Sequence, residues 1–221
     1  MPLSTVINLR NLDAGIILAP ERYDPRRITE REHKLILTDV IIEIRETCNP
    51  IKLSENDKVL VFDTGDASDG MILSRKSLVP QNSIGSIKKV VQPGDVIISR
   101  LRPYLRQVAY IDEGIFDQIG TKIPLLCSSE FFVLRSKNLE SIAYLVPLLL
   151  SSEIQIVLSA SQEGGHHPRF NRETLMTLPL PSSIYDKHEI ISSEVENSVK
   201  KARQAVFSIQ KLTEKCTKAY K

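Results

Sequence analysis

The sequence predicts a mixed α/β domain, in which helices pack on a mixed sheet, followed by one long C-terminal helix. Three observations indicate this class. Short runs rich in Val and Ile, bounded by Gly, Pro and Asp, fill the middle of the chain. Apolar residues recur at helical spacings from residue 138 onward. After Pro181 the chain contains neither Gly nor Pro, so nothing there interrupts a helix.

The predicted strands lie in the middle of the chain. Residues 58–62 read as a buried strand, and the segment DTGDASDG that follows is typical of a turn. Residues 90–91, the turn PGD and the run VIISR predict a strand, a turn and a strand, and residues 107–111 and 130–134 predict two more. Thr38 and Asp39 are candidate caps before VIIEIRETC, where β-branched residues leave helix and strand unresolved.

The segment NLESIAYLVPLLLSSEIQIVLSASQ predicts two helices, separated at Pro147, with the second beginning at Ser151 or Ser152. A loop, GGHHPRFNRE, and two prolines follow. At 221 residues and 42% hydrophobic composition, the chain can bury one sizeable core. We therefore expect one globular domain over 1–181 and a long spacer or dimerisation helix over 182–221.

Charge is distributed unevenly along the chain, although the net charge is only +2. Residues 197–221 contain seven basic residues against one acidic residue. A second basic stretch lies between residues 85 and 107, with five cations against Asp95 alone. Those cations are Lys88, Lys89, Arg100, Arg102 and Arg106. This local patch favours an anionic partner.

Targeting and cysteine patterns indicate an intracellular, cytoplasmic protein without membrane contact. No apolar run approaches the length that spans a bilayer, and the first residues lack the basic start and apolar run of a secretory signal. The three cysteines, Cys48, Cys127 and Cys216, lie far apart and form no CxxC pair. We expect all three to be reduced and to hold no metal.

Residues 92–111, QPGDVIISRLRPYLRQVAYI, carry three arginines around the end of one predicted strand and the start of the next. On an extended segment Arg100 and Arg102 would share one face. A guanidinium there can hold a phosphate or pair with a guanine edge. The alternative is a solvated strand edge in which the arginines form salt bridges.

This segment resembles the central signature of specificity subunits of type I restriction-modification systems. Three further blocks, at 127–138, 143–155 and 163–181, follow in the order of that family. The opening segment is similar to the family's D-A-x-x-Y-x-P-R pattern with a stretched spacing, through Asp13, Ala14, Tyr23, Asp24, Pro25 and Arg26. Such subunits usually carry two target-recognition domains and two long helices, whereas this chain has one of each.

The resemblance implies an α/β domain that docks on double-stranded DNA and a helix that forms an antiparallel spacer with its counterpart. It places catalysis in separate methyltransferase and nuclease or translocase subunits. S-adenosylmethionine and ATP are implied only for those partners, so no cofactor, metal or catalytic residue is expected in this chain. The absence of NPPY, GxxxxGK[ST] and GxSxG motifs is in keeping with a recognition module.

Two sets of candidate residues follow. Groups suited to phosphates or base edges are Lys88, Lys89, Arg100, Arg102, Arg106, His166, His167, Arg169 and Asn171. A heptad-like seam in the long helix contains Val195, Val199, Ala202, Val206 and Ile209. We expect two copies to pair through this seam as a homodimer and to read a palindromic, gapped site.

Two other classes of function remain open at this stage. The chain is alternatively a helical assembly adaptor whose basic tail is an interaction arm. A metal-dependent nuclease is the other alternative, with Asp24 and the sequence Glu32-His33-Lys34 as its nearest motif. That motif lies in a charged, proline-containing segment rather than on adjacent core strands, which argues against it. The Asp63, Asp66 and Asp69 series lacks the spacing of a calcium-binding loop.

Overall fold

The computed structural model describes residues 8, 35–49, 58–72, 78–80, 83–117, 119 and 121–220. Within these residues the strands are β1 Ile41–Ile44, β2 Thr47–Cys48, β3 Lys58–Phe62, β4 Ala67–Ser68, β5 Gly70–Ile72, β6 Val79–Pro80, β7 Lys88–Val91, β8 Val96–Ser99, β9 Val108–Tyr110, β10 Leu125–Ser128, β11 Phe131–Ser136, β12 Gln162–Glu163 and β13 Arg169–Phe170. The helices are α1 Leu37–Val40, α2 Gly114–Asp117, α3 Leu145–Leu150, α4 Ser152–Ala160, α5 Arg172–Met176, α6 Ser182–Tyr185 and α7 His188–Ala219.

Two mixed sheets form the body of the domain. The first has the strand order β1-β11-β8-β9-β5-β4, and its one parallel pair is β5 with β9. The second has the order β2-β7-β10-β3-β6, with β10 parallel to β3. A short hairpin of β12 and β13 stands beside them. The predicted α/β class with a mixed sheet is confirmed.

The first sheet is the middle layer of three. Ile97 and Phe131 point from it toward the second sheet, into a core that also contains Phe62. Val96 and Ile98 point the other way, toward the helices α3, α4 and α5. Because both faces of β8 are covered, all four of its residues are buried, and the run VIIS needs no polar alternation. This central strand ends where the candidate residues begin.

Two local expectations need correction or completion. The segment VIIEIRETC, left between helix and strand, supplies the end of α1 and the strands β1 and β2. Pro147 does not separate two helices, because it lies third in α3, where a missing N–H leaves no helical hydrogen bond unmade. The break falls at Ser151, whose hydroxyl accepts a hydrogen bond from the Ile154 N–H at the start of α4. The predicted start of the second helix is confirmed.

The long helix is confirmed as α7, although it begins at His188 and not at residue 182, because the short helix α6 ends at Tyr185. The first half of α7 docks on the body. Ser192, Val199 and Arg203 are buried. The hydroxyl of Ser192 accepts a hydrogen bond from the Tyr144 N–H at 3.2 Å, and Glu196 Oε1 accepts one from the Tyr110 hydroxyl at 3.2 Å. Among the described residues, no helix combines the length and the apolar composition needed to cross a bilayer.

Arg203 makes the last anchoring contact of α7. Its Nε and Nη2 atoms lie 2.7 and 2.5 Å from the two carboxylate oxygens of Asp112, and Nη2 also donates to the carbonyl of Ile72. Gly114 makes room for this approach, since a Cβ there would lie 2.8 Å from both Arg203 Cδ and Asp112 Oδ2. The next residues of the helix, from Gln204 onward, are mostly exposed.

Candidate nucleic-acid interface

Three segments meet just beyond the end of β8. The Arg100 N–H donates to the carbonyl of Glu130, in the turn between β10 and β11, at 2.9 Å. The Phe170 N–H of β13 donates to the carbonyl of Arg100 at 3.2 Å, and the Arg102 N–H donates to the carbonyl of Pro168 at 2.8 Å. Backbone hydrogen bonds therefore hold two loops against one strand end, which fixes where their side chains lie.

A single carboxylate, Glu130, joins the two arginines at this junction. Arg100 Nε lies 2.9 Å from Glu130 Oε2. Arg169 approaches the same carboxylate with two nitrogens, Nε at 2.9 Å from Oε2 and Nη2 at 2.8 Å from Oε1. The hydrogen bonds from Arg169, opposed by partial burial and supported by Arg100, lower the pKa of Glu130 to about 2. We call Arg100, Glu130 and Arg169 the Glu130 cluster.

The Glu130 cluster has more positive than negative charge. Two guanidinium groups share one carboxylate, and both arginine side chains are 41% exposed, whereas Glu130 is 21% exposed. Each guanidinium has five N–H donors, so each keeps donors beyond those that Glu130 accepts. The sequence left two alternatives for these arginines, a strand edge with salt bridges and a surface that binds anions. The geometry combines them, because the salt bridge orients two arginines that are each 41% exposed. Arg169 Nη1 also donates to the carbonyl of His167 at 3.2 Å.

Arg102 extends the cluster on one side. Its Nη2 lies 3.1 Å from Nδ1 of His167, whose ring makes an edge contact with the ring of His166 at 4.9 Å between centroids. The expectation that Arg100 and Arg102 share a face of an extended strand was wrong. Strand β8 ends at Ser99, and Arg102 adopts the left-handed conformation with φ of 48°. The two arginines lie in a turn instead, and Arg102 turns toward the hairpin loop.

The remaining predicted DNA contacts have other partners in this structure. Lys89 is half-buried, and its ammonium donates to the carbonyl of Phe131 at 2.7 Å. Arg106 donates to the carbonyl of Leu150. Asn171 caps helix α5, since its Oδ1 accepts from the Thr174 N–H at 2.8 Å. Lys88 lies half-exposed on β7. Their assignment to DNA stays a prediction, and the structure brings only Arg100, Arg102, His166, His167 and Arg169 to one junction.

Glu130 was missed by the sequence reasoning, which searched for cations alone. It lies in the resembling block at 127–138, two residues after the end of β10 at Ser128. No pattern around Glu130 in the sequence indicates its two partners, which come from 30 and 39 residues away. That separation is visible only in the fold.

The alternative sites lie only partly within the described residues. Asp24 and the Glu32-His33-Lys34 motif lie outside the described residues, as do Asp13, Ala14, Tyr23, Pro25 and Arg26. In the part of the chain that the structure describes, no group of three or more His, Cys, Asp or Glu side chains is placed to hold a metal ion. Asp66, in the former calcium-loop candidate, accepts a hydrogen bond from the Asp63 N–H at 2.7 Å.

Comparison with known proteins gives a likeness in structure. No family model and no curated protein matches the sequence. A chain from a structure on complex assembly and conformational transition of the type I R-M system is similar, with TM-score 0.58 and 23% identity over 81% of this chain. The HsdS subunit from Thermoanaerobacter tengcongensis is similar, with TM-score 0.53 and 19% identity over 84% of this chain.

In each case the match covers 46% of the solved chain. The protein therefore spans about half the length of the structures that it resembles. The likeness covers more than four fifths of this chain. The fold that the sequence resemblance implied is confirmed: this chain folds as one half of a type I restriction-modification specificity (HsdS) subunit does.

Proposed function

We propose that this protein recognises sequence in double-stranded DNA as a non-catalytic specificity subunit, and directs methyltransferase and nuclease subunits to a bipartite site. The observation that carries the proposal is the Glu130 cluster. Its two partly exposed arginines outnumber their carboxylate at the junction of two loops. Such a junction on a rigid sheet is where binding residues are commonly placed.

The chemistry of the cluster suits duplex DNA. A guanidinium held by one carboxylate is already oriented, so less side-chain freedom is lost when it binds a phosphate or the O6 and N7 atoms of guanine. The outer edges of Arg100 and Arg169 then contact the DNA while Glu130 holds their inner edges. Arg102 and His167, 3.1 Å apart, supply further donors on the flanking loop.

Salt dependence of duplex binding tests the proposal. We expect fluorescence anisotropy of a labelled mixed-sequence duplex to show a linear fall of log affinity with log salt, by about 0.9 for each phosphate contacted. The double variant R100Q/R169Q should lower both the affinity and this slope. The matched control K58Q/K122Q removes two exposed cations at the opposite end of the second sheet, where β3 begins and just before β10. Equal losses in both double variants, or affinity independent of salt, would contradict the proposal.

We propose further that two copies pair through the distal part of α7 and that the pair associates with methyltransferase and nuclease subunits. Val195 and Val199, from the predicted seam, pack against the chain's own body. Ala202 lines a groove between α7 and the body together with these two residues. Ile209 is exposed and Val206 is partly exposed, so the seam beyond Arg203 is the part that faces outward. Light scattering should show a dimer that I209D converts to a monomer.

An assembly adaptor without DNA specificity is the second candidate, and the exposed apolar side chains of α7 favour it. Phe207, Ile209 and Leu212 are all about half-exposed or more. An adaptor would bind its protein partner through this face and show no specific affinity for DNA. Co-purification that recovers a methyltransferase subunit, together with flat duplex binding, would replace the first proposal by this one.

A further inference from the structure

A second carboxylate, that of Glu43, lies within 4.0 Å of three cations near the Glu130 cluster. Glu43 lies on β1 with only 5% of its side chain exposed. Arg172 Nε is 2.5 Å and Arg45 Nε is 3.0 Å from the same oxygen, Oε2. The ammonium of Lys89 lies 4.0 Å from the other oxygen, Oε1. Three cations thus surround one carboxylate, an arrangement that we call the Glu43 cluster.

The carboxylate of Glu43 stays ionised in this setting. Burial alone would raise the pKa of Glu43, but hydrogen bonds and charges from Arg172 and Arg45 outweigh burial and leave the pKa below its ordinary value. Arg45 and Arg172 are nevertheless 63% and 49% exposed. One cation would suffice to pair this carboxylate. The surplus positive charge faces solvent.

The two clusters belong to one surface. Phe132, which packs against Phe170 at 5.6 Å between ring centroids, lies under the ammonium of Lys89 at 5.5 Å. The same ammonium donates to the carbonyl of Phe131, the residue after Glu130. Burial lowers the pKa of Lys89, the negative charge of Glu43 opposes this, and the positive charges of Arg100, from one cluster, and Arg45, from the other, lower the pKa further. Lys89 is therefore within electrostatic reach of both.

Segment 169–172 also links the clusters covalently. Arg169 binds Glu130, and Arg172, three residues later in the first turn of α5, binds Glu43. Asn171 between them caps α5 and so sets the direction of Arg172. The chain thus presents exposed guanidinium groups at both ends of one ordered segment. The spacing suits a polyanion that extends across both clusters.

We propose that Arg45 and Arg172, oriented by Glu43, form a second contact station for the sugar-phosphate backbone of duplex DNA, next to the Glu130 cluster. This inference rests on the proposed DNA-binding function and extends it to residues that the basic patch at 85–107 did not include. Contacts to phosphate position a protein on the duplex without reading bases. The station therefore adds affinity for duplexes of every sequence.

The test is the salt dependence of duplex binding by the full chain carrying R45Q/R172Q. We expect the log-log slope to become shallower by about 1.8, which is about 0.9 for each of the two phosphates that is no longer neutralised, and affinity near 0.1 M salt to fall roughly tenfold or more. The loss should be similar for duplexes of different sequence. The control K58Q/K122Q removes the same charge at the opposite end of the second sheet and should leave the slope within a few tenths of its value.

A triple variant, E43Q/R45Q/R172Q, separates binding from folding. Removing two arginines leaves a buried carboxylate with fewer partners, and E43Q removes that charge, so thermal unfolding should return toward the wild-type temperature. If the arginines contact phosphate, the triple variant folds normally and keeps the shallow slope. If they serve only to neutralise Glu43, the triple variant regains wild-type slope and affinity, which overturns the inference.

Failure of the station and failure of the proposed function give different results. If R100Q/R169Q weakens duplex binding while R45Q/R172Q does not, the station is overturned and the function stands. If the unaltered chain shows no salt-dependent affinity for duplex DNA, both are overturned together.

Discussion

The buried Asp95–Arg135 pair and the Glu130 cluster use the same two chemical groups in opposite ways. Arg135 Nε and Nη2 lie 2.7 and 2.8 Å from the two oxygens of Asp95, which is fully buried and also accepts from the Gln92 N–H. One carboxylate there meets one guanidinium. Glu130 instead meets two guanidinium groups, each partly exposed.

This difference shows that two properties decide whether an arginine stabilises the fold or can bind a ligand: the number of guanidinium groups per carboxylate and their exposure to solvent. A buried one-to-one pair returns little net stability, yet removing one member leaves a charge without compensation in a medium of low polarity. A shared carboxylate at the surface orients two cations and neutralises one charge. The first arrangement ties β8 to β11, and the second leaves donors for a ligand. Arginine count alone does not distinguish them.

Breaking the buried pair should produce the largest effect. In D95A, Arg135 and the Gln92 N–H lose their partner, and we expect the free energy of unfolding to fall by about 3 kcal/mol. Urea unfolding followed by circular dichroism measures this. The exposed acid Glu113 provides the control, since E113A should change stability by less than about 0.5 kcal/mol. Similar values for D95A and E113A would remove the distinction between buried and shared carboxylates.

The anchor of α7 tests the same rule at a second one-to-one pair. R203M keeps an unbranched side chain of similar length but leaves Asp112, which is 13% exposed, without its guanidinium. We expect a loss of about 2 kcal/mol and faster hydrogen exchange in the docked half of α7. K211M, at an exposed position on the same helix, should change neither. Unchanged exchange in R203M would mean that the apolar contacts alone hold the helix.

The shared carboxylate should behave differently, with a loss of binding rather than of stability. R169Q removes a partly exposed cation, and we expect duplex affinity to fall about tenfold, equivalent to about 1.4 kcal/mol. Its unfolding temperature should change little, because Arg100 still pairs with Glu130. Anisotropy and calorimetry on the same preparation measure the two. A large drop in stability without loss of affinity would place Arg169 with the buried pairs.

The smallest expected effect concerns pH. The pKa of Glu130 is lowered to about 2 in the folded protein, below the value of about 4.3 expected when unfolded. The charged form therefore stabilises the fold above the unfolded pKa, and this contribution disappears as pH falls toward 2. We expect E130Q to be less stable than wild type by about 1 kcal/mol at pH 7, after allowance for solvent screening.

Urea unfolding at pH 7, 4 and 3 checks this sign. The difference between wild type and E130Q should shrink steadily as the pH falls. A difference that stays constant over this range would show that Glu130 acts through packing or neutral hydrogen bonds rather than through its charge.

Local patterns were sufficient for much of the fold. Three predictions depended only on residues close together in the sequence: the strand at 58–62, the strand after the turn PGD, and the helix beyond Pro181, where Gly and Pro are absent. The elements β3, β8 and α7 form at these places. Strand β10 was missed because three apolar residues followed by Ser128 carry no period that separates strand from helix. Its parallel partner β3 lies more than 60 residues away.

The site was predictable only in part, for a related reason. Arg100, Arg102 and Arg169 stood out as cations, but the carboxylate that joins two of them comes from another turn, and Glu43 comes from a strand near the other end of the domain. The docking face of α7 was predicted only in part, since Val195 and Val199 of the seam lie on it, whereas Glu196 and Arg203 are polar and a heptad pattern follows apolar residues. Tertiary contacts between oppositely charged groups leave no local signal.

The Arg203 anchor makes the rest of α7 a lever. From Arg203 to Ala219 the helix extends by about 24 Å at 1.5 Å per residue. A tilt of about 10° at the anchor would move the far end by about 4 Å, which is close to the 3.4 Å rise of one base step in a DNA strand. Gly114 leaves room for the Arg203 side chain against Asp112, so the angle of α7 to the body depends on the absence of a side chain at this position. A single added methyl group at that position would cause the largest displacement at the far end of the helix.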